Sequence, residues 1–447
     1  MSDFKSSRFS RLTRLSTTVA KMGVEYALGK AQEVSQNIKN SKEEAQNIAY
    51  KIKVAQELVK SMGELKGGLM KLGQMLSITE DLILPQEISE LFKTLQKNAP
   101  SMSDEDLNKV FMKNFGKKPS EIFTYFESKP FAAASIGQVH IGVLPSGEKV
   151  AVKVQYPKIV NAIKSDMLNI KEFDRLLKVL IPSKPQIDNL LEELKSSLLA
   201  ECDYLQEANS IELFREIFNQ EFPGKIIIPK VYREFSTNEI LTTEFMTGDS
   251  FEKTMDYPQE VKDQLGELLY LSFLYCLFHS KVLHSDHQEG NYLFHKDKII
   301  MLDFGSTRKF NDDFIHWYSL LCLSVRNLDK KIFRDCVINL GINEEFDSNE
   351  EIEKSFNLVA DIYKPFLADG KYPIEDLNPF RLIKEYVSSI NLEGRKAARE
   401  EFIMLDRANI GLFTKIKKWK ASINWKNGRD LYQIQSENNA LETYLKK

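Results

Sequence analysis

Apolar residues recur every three, four or seven positions over long parts of the chain, a spacing that places them on one face of an α-helix. The clearest run spans residues 48–76. It follows the capping-box sequence Ser41-Lys42-Glu43-Glu44, which is typical of a helix start. Its apolar positions are Ile48, Ile52, Leu58, Met62, Leu65, Leu69, Leu72 and Leu76. Further helical patterns cover 88–95, Asp104–Phe115 and 187–218.

Strand-like alternation of apolar and polar positions begins near Lys129-Pro130. The predicted strands are 139–143, 149–155, 225–231, 239–243, 292–294 and 299–302. The first two flank the turn Pro145-Ser146-Gly147 and are expected to form a hairpin, and the third and fourth are expected to pair with each other. From Pro258 onward the rest of the chain is predicted to be helical, including residues 311–323.

Composition indicates an ordinary globular protein, since 43% of the 447 residues are apolar and the formal charge is −3. This charge provides no global basic field, so nucleic acid is not an expected partner. The four cysteines lie far apart without metal or redox spacing and indicate reduced thiols: Cys202, Cys276, Cys322 and Cys336. The richest apolar run, 268–278, is far shorter than the ~18 to 20 residues that span a bilayer.

The first thirty residues form a basic amphipathic pattern. Its basic residues are Lys5, Arg8, Arg11, Arg14 and Lys21, and its apolar stripe is Leu12, Leu15, Val19, Met22 and Tyr26. Such a helix can lie on an anionic membrane surface. An organelle presequence and a helix packed on the protein itself are the two rival interpretations. We therefore expect a cytoplasmic, peripherally membrane-associated protein, or one on the mitochondrial matrix face if the segment is a presequence.

The candidate chemistry lies in the stretch from His284 to Asn291 and in the Asp303-Phe304-Gly305 sequence that follows one short hairpin. This order of residues is the one that phosphoryl transfer needs. Asp286 would meet the acceptor hydroxyl, while the oxygens of Asn291 and Asp303 would hold Mg²⁺ against the phosphates of ATP or ADP. Two unrelated polar turns at strand ends are the alternative explanation.

Lys153 ends the strand sequence Val150-Ala151-Val152-Lys153, a position from which a lysine can bind the α and β phosphates. A lone strand lysine is more often a solvated edge residue. The preceding loop has one glycine instead of three, and its Ala132, Ala133, Ala134 and Ser135 stand where nucleotide phosphates would bind. Because alanine methyl groups limit close backbone approach, we expect a stiffer loop that holds the nucleotide differently.

Two acidic residues of the 187–218 helical pattern, Glu201 and Glu207, are six residues apart, about 240° around a helix. One helix could thus orient two lysines, although a solvated acidic face is the plainer alternative. The connector from Glu244 through Met246 is expected to meet the adenine edge. After Gly305 no Ala-Pro-Glu sequence follows, which disfavours a protein substrate.

With these motifs and with Lys71-Leu72-Gly73-Gln74, the chain resembles the UbiB family of atypical kinases from about Gly63 to Trp425. The resemblance implies a Lys-x-Gly-Gln helix that covers the mouth of the active site. It pairs Lys71 with Glu201 and Lys153 with Glu207. It also implies ATPase activity more readily than protein kinase activity, and a role in the biosynthesis of ubiquinone or related isoprenoid lipids at membranes.

This resemblance implies a membrane surface and an isoprenoid lipid or quinone precursor as partners. A quinone-biosynthesis complex and a homodimer stay open. Two departures from the family pattern stand out. His287-Gln288-Glu289 replace the usual prolines and histidine, which adds the Glu289 carboxylate close to the presumed metal site, and Arg308 stands where a glycine commonly occurs. A lipid-binding pseudokinase that responds to nucleotide is the main alternative function, and a kinase of small soluble molecules is the third.

Together these patterns predict an α+β, two-lobed protein-kinase-like fold with an N-terminal helical extension packed over the active site. Its expected parts are a basic segment 1–40, a helical extension 41–115, an N-terminal lobe 116–246 and a helical C-terminal lobe 247–447.

Overall fold

The structure is a computed structural model that describes residues 102–134, 136–157, 159–160, 199, 201–374, 382, 385 and 399–446. Several predictions fall outside these residues, namely the basic segment 1–40, the helices over 48–76 and 88–95, Lys71 and Ser135. In the part that is described, none of the helices is both long enough and apolar enough to cross a bilayer. The proposed boundaries at 40, 115 and 246 stay predictions.

Helices and strands alternate along the described chain, so the predicted α+β class is confirmed. The strands are β1 Tyr125–Phe126, β2 Ala132–Ala133, β3 Gly137–Val143, β4 Lys149–Gln155, β5 Ile226–Ile227, β6 Ile240–Glu244, β7 Val282–His284, β8 Tyr292–His295, β9 Lys298–Met301, β10 Thr307–Lys309, β11 Lys371–Pro373 and β12 Ser422–Asn424. The helices are α1 Asp104–Phe115, α2 Pro119–Ile122, α3 Tyr204–Glu221, α4 Gln259–Leu274, α5 Asp312–Arg326, α6 Lys330–Asn339, α7 Asn349–Tyr363, α8 Glu401–Lys418, α9 Trp425–Gly428 and α10 Ile434–Leu445.

The chain divides into two compact units. The smaller unit includes residues 102–106 and the described parts of Ala132–Gln138 and Gln155–Cys202. Within it, Gln138 Oε1 accepts a hydrogen bond from Met102 N at 2.8 Å, and Gln155 Nε2 donates to Cys202 O at 2.8 Å. Two buried glutamine side chains therefore connect segments of this unit that are distant in sequence.

The larger unit consists of Leu107–Phe131, Val139–Val154 and Asp203–Lys447. Its main sheet has the strand order β1-β3-β4-β6, with β4 and β6 antiparallel. Val150, Val152 and Val154 are fully buried, so the alternation of β4 turns one face into the core. Helix α5 is buried over most of its length and forms the centre of the helical region, as the apolar pattern of 311–323 indicated.

Three smaller sheets belong to the same unit. Strands β8 and β9 form the predicted hairpin, β7 pairs with β10, and β11 pairs with β12. The last two pairs correct the expectation that the chain is helical outside the catalytic hairpins. The prediction that 225–231 pairs with 239–243 holds only at its end, where Val231 bridges to Thr243. Strand β5 itself pairs in parallel with β9. Pro229 has no N–H to donate, which interrupts a continuous ladder.

The predicted continuous helix over 187–218 was wrong at Asp203. Helix α3 begins at Tyr204, and the side chain of Asp203 caps it by accepting hydrogen bonds from Leu205 N and Gln206 N at 3.1 and 3.2 Å. Aspartate favours this position because its carboxylate satisfies N–H groups that have no partner in the first helical turn. Glu201 and Glu207 therefore lie on either side of a helix start, and the 240° argument does not apply to them.

Candidate functional site

Lys153 on β4 is the centre of the site in the larger unit. Its Nζ lies 2.9 Å from both carboxylate oxygens of Glu207 and 3.0 Å from Oδ2 of Asp303. Because Asp203 starts α3 where it does, Glu207 falls in the first helical turn and faces this strand. The side chain of Glu207 is buried, so its charge needs the lysine. The predicted pairing of Lys153 with Glu207 is thus present in the structure.

Electrostatics keep Lys153 and Asp303 ionised. Burial alone would lower the pKa of Lys153, but the carboxylates of Asp303 and Glu207 outweigh it and hold that pKa well above its usual value. Burial likewise favours a higher pKa for Asp303, and the lysine reverses this and lowers the pKa of that carboxyl. The side chain of Asp303 remains 35% exposed. A fixed cation therefore lies beside a carboxylate that is open to a ligand.

The Asp303-Phe304-Gly305 turn is held in place from both sides. Asp303 Oδ1 accepts a hydrogen bond from Gly305 N at 3.0 Å, and the main-chain oxygen of Asp303 is hydrogen-bonded to His284 Nε2. Phe304 is buried, with its ring centre 5.1 Å from Phe214 on α3 and 5.2 Å from His284. This aromatic stack connects the helix that carries Glu207 with both loops of the site.

The Asp286 loop, defined here as residues 284–291, is closed by its own side chains. Asn291 Nδ2 donates to Asp286 O at 3.1 Å, while Asn291 Oδ1 accepts a hydrogen bond from Gln288 Nε2 at 3.0 Å. The predicted metal-binding oxygen of Asn291 is thus already oriented by a residue that departs from the family pattern. Lys153, Asp286, Asn291 and Asp303 all belong to the larger unit. The β7–β10 ladder joins the loop of Asp286 and Asn291 to the turn of Asp303, and Lys153 contacts Asp303.

Arg407 on α8 is the residue that the sequence reasoning missed. Its Nη2 lies 3.0 Å from Oδ2 of Asp286, and the two side chains are only 6% and 9% exposed. On either side of it along the helix, Met404, Leu405, Ala408 and Leu412 are buried. An arginine within an apolar helical stripe needs a carboxylate partner, so the position of Arg407 in this stripe could have identified it from the sequence.

Three residues of α8 spaced by four contact the Asp286 loop, since positions i, i+4 and i+8 lie on one face of a helix. Arg407 is the first. At Gly411 an added Cβ would lie 2.5 Å from the Cβ of His287, so only glycine permits this approach. Lys415 Nζ donates to the main-chain oxygens of His287 and Gly411. Helix α8 thus supports the Asp286 loop.

Glu289 lies on the outer part of the same support. Its Oε1 is 2.5 Å from Lys418 Nζ on α8. The sequence led us to expect this carboxylate close to the metal site. In the structure it forms an ion pair with α8 instead. His287 stacks on Tyr292, and its Nδ1 is hydrogen-bonded to the Tyr292 hydroxyl at 2.7 Å. Burial lowers the pKa of His287 well below its usual value, so the ring is neutral.

Burial of Lys415 leads to a prediction about stability and pH. Burial lowers the pKa of Lys415 from 10.5 to about 7 in the folded protein. Between about pH 7 and 10.5 the unfolded chain binds a proton that the folded chain does not, so the free energy of unfolding rises with pH there, by at most ~1.4 kcal/mol per unit. Urea titrations of the wild type and of Lys415→Met should show this slope in the wild type only. Lys417→Met, an exposed position on the same helix, is the control. Parallel pH curves for wild type and Lys415→Met would contradict the prediction.

The remaining predicted site residues are distributed as follows. Ala132, Ala133 and Glu201 belong to the smaller unit, where the two alanines are exposed and Glu201 is buried; Ala134 is in the same segment and its N–H donates to Gly137 O at 3.0 Å. Glu244 ends β6 with an exposed side chain that accepts a weak hydrogen bond from Lys230 N, and Met246 is half-buried in the connector. Lys71 and Ser135 are outside the described residues, so the pairing of Lys71 with Glu201 stays a prediction.

Comparisons with known proteins identify the family of this chain. A family model described as "ABC1 atypical kinase-like domain" matches residues 94–336. The chain is 28% identical over 427 residues to "Atypical kinase COQ8, mitochondrial" of Saccharomyces cerevisiae, covering 95% of this chain and 84% of that protein. It is 27% identical over 381 residues to "Atypical kinase COQ8B, mitochondrial" of Rattus norvegicus, covering 85% and 71%.

A solved structure extends the likeness to the fold. The Rv3197–erythromycin complex from Mycobacterium tuberculosis superposes with a TM-score of 0.59 at 24% sequence identity. The match covers 85% of this chain and 95% of that one. Likeness at this level of identity supports a shared architecture and carries no statement about a ligand.

Proposed function

We propose that this chain is a kinase-like phosphotransferase or ATPase. It belongs to the ABC1 atypical kinase-like family and is similar to the COQ8 kinases, which are of the UbiB type. Its substrate would be ATP or ADP with Mg²⁺. The observation that carries this proposal is Lys153, whose ammonium is fixed between Glu207 and the partly exposed Asp303. A cation held beside an open carboxylate is the arrangement that binds nucleotide phosphates together with a metal ion.

The residues present fit a magnesium ion. Mg²⁺ prefers hard oxygen ligands and usually takes one or two from the protein, with the rest from phosphates and water. Asp303 and Asn291 are the residues that would hold it. Within the described residues there is no cluster of three or more acidic, histidine or cysteine ligands, so no dedicated all-protein site competes. When bound, the ion would neutralise charge on the phosphates.

The protein's own residues then have separate tasks. Lys153 orients the nucleotide phosphates, and Asp286 faces the acceptor hydroxyl or a water molecule. Arg407 acts as a positioning residue that holds the Asp286 carboxylate in one orientation. From Gly305 only six residues lead to the helix cap Asn311, and β10 pairs with β7 within that segment. So short a segment offers little surface for a peptide, which favours a small acceptor or water.

We further propose a role in isoprenoid quinone or lipid metabolism at a membrane surface, with an isoprenoid lipid or quinone precursor as the partner molecule. The UbiB resemblance and the names of the COQ8 relatives support this role. Because both of those relatives are described as mitochondrial, the mitochondrial matrix face is a candidate location for this chain as well as the cytoplasmic surface of a membrane.

The proposed activity is tested with purified full-length protein, by phosphate release from ATP with and without Mg²⁺. Lys153→Met should lower turnover at least a hundredfold, the usual loss when one preorganised electrostatic contact is removed. It should also weaken the rise in melting temperature that nucleotide produces. Lys149→Met is the matched control, since Lys149 is an exposed residue on the same strand that lies over the ring of Phe245. Equal turnover in the wild type and Lys153→Met would contradict the proposal.

One observation favours a second candidate, a nucleotide-responsive lipid-binding protein without phosphoryl transfer. Arg407 lies at ion-pair distance from the Asp286 carboxylate, and Gln288 donates a hydrogen bond to Asn291 Oδ1. Two groups needed for chemistry therefore already have partners within the protein. Such a protein should be stabilised by nucleotide and leave it intact over hours. Wild-type phosphate release that depends on Lys153 excludes this candidate.

A further inference from the structure

A cavity lies in the helical part of the larger unit, on the side of α8 that faces away from the Asp286 loop. It contains about 630 Å³ of space between its walls, including the part open to solvent. Its lining comes from α4, the π-helical turn Tyr275–Ser280, α5, α7 and α8. Six aromatic side chains belong to the wall: Phe273, Phe278, Tyr318, Tyr363, Phe366 and Phe413.

One carboxylate faces this aromatic space. Asp406 lines the cavity, and its side chain is exposed. Among the described residues, none forms a hydrogen bond or an ion pair with it. Because the carboxylate lies at the edge of an aromatic cavity, it can pair with a cation whose apolar part enters that cavity.

A second unpaired acceptor lies one helical turn further along α8. Asn409 also lines the cavity, and its Oδ1 is buried with no hydrogen-bond donor among the residues that the structure describes. Buried polar atoms normally have a partner. The cavity therefore presents two acceptors and an aromatic wall, and a ligand that supplies N–H donors would satisfy both features.

We propose that this cavity is a binding site for a small organic amine. The ammonium group would pair with Asp406 and donate to Asn409 Oδ1, and the apolar body would pack among the aromatic rings. Aromatic faces also attract a cation directly, which adds to the preference for a charged amine. A neutral hydrocarbon would leave Asn409 Oδ1 unpaired, and an anionic ligand would be repelled by the carboxylate of Asp406.

The site is adjacent to the catalytic machinery through one helix. Asp406, Asn409, Ile410 and Phe413 lie on one face of α8, and the residues that support the Asp286 loop lie roughly 150° around it. A bound amine would thus contact the same helix that carries Arg407. The proposal itself concerns binding alone and does not depend on phosphoryl transfer.

Benzylamine and benzyl alcohol are the probes, because they share the ring and differ in charge. Binding to the full chain is measured by calorimetry at about pH 8, where the amine is protonated and the Asp406 carboxyl is mostly ionised. We expect benzylamine to bind at least tenfold more tightly than benzyl alcohol. Asp406→Asn should remove that difference while leaving benzyl alcohol binding unchanged. Asp312→Asn, a highly exposed carboxylate paired with Lys281, should retain it.

A second variant separates loss of the site from loss of the fold. Cys322→Met lengthens a side chain of the cavity wall on α5 and should weaken both probes in a protein that still melts cooperatively. Absence of saturable benzylamine binding to the wild type would overturn the proposal. Equal binding of the two probes to the wild type, or undiminished benzylamine binding to Asp406→Asn, would overturn it as well.

Discussion

Asp303→Asn should reduce phosphate release by a factor of about 10² to 10³ while leaving the melting temperature nearly unchanged. Asparagine keeps an oxygen that can accept the hydrogen bond from Gly305 N, so the turn should hold its shape. The change removes the negative charge that pairs with Lys153 and that would hold the metal ion. Because the side chain is 35% exposed and Lys153 keeps Glu207, the cost in unfolding free energy should be small, about 1 kcal/mol or less.

The measurement is phosphate release from ATP at saturating Mg²⁺, with thermal melting of the same preparations. Asp297→Asn is the control variant, since Asp297 lies on the turn of the neighbouring hairpin and forms a surface ion pair with Lys225. It should retain wild-type activity and melting. Equal release from Asp303→Asn and wild type would remove the catalytic claim and leave nucleotide binding without turnover as the better account.

Arg407→Ala should lower the free energy of unfolding by ~3 to 5 kcal/mol, because it strands the buried carboxylate of Asp286. Activity should fall together with stability, since the carboxylate loses the contact that orients it. Arg407→Lys can restore a positive charge but not the planar fork of the guanidinium, so it should recover part of both. Arg233→Ala is the matched control; its partner Glu212 is on the surface, and such pairs contribute about 0 to 1 kcal/mol.

A double-mutant cycle distinguishes a specific pair from general loss of packing. If Arg407 and Asp286 act on each other, Arg407→Ala combined with Asp286→Ala should destabilise by less than the sum of the single changes. Nucleotide should still raise the melting temperature of a folded Arg407→Lys protein, because Lys153 and its partners are unchanged. Wild-type melting of Arg407→Ala, or strict additivity in the cycle, would show that the observed contact contributes little.

The features read correctly from the sequence are those encoded by near neighbours. The β3–β4 hairpin, the β8–β9 hairpin and helices α1 and α5 follow from alternation, helical periodicity and turn residues within about a dozen positions. The structure also brings together the predicted pair of Lys153 and Glu207.

The errors in the predicted helix over 187–218 and in the predicted partner of β5 have two causes: a competing helix cap and long-range packing. The apolar period continues through Asp203, but a carboxylate that can cap a helix starts a new one there, and periodicity alone cannot weigh that effect. Strand β5 was assigned the wrong partner, because an apolar run of this kind fits several strands equally well. It pairs with β9, where Ile299 N also bonds to Lys225 O and extends the contact.

The sequence by itself determined which residues carry charge and oxygen ligands, and which short segments are strands or helices. Only the tertiary structure decided what supports them. Lys415 reaches the Asp286 loop from 128 residues away, and Arg407 and Gly411 contact it from the same helix face. A local pattern can single out Arg407 as an arginine that needs a partner, but it does not say that these residues contact the Asp286 loop. The free energy that selects this contact comes from burying α8 against the rest of the unit. Tertiary packing therefore determined how the Asp286 loop is held and which residues of α8 hold it.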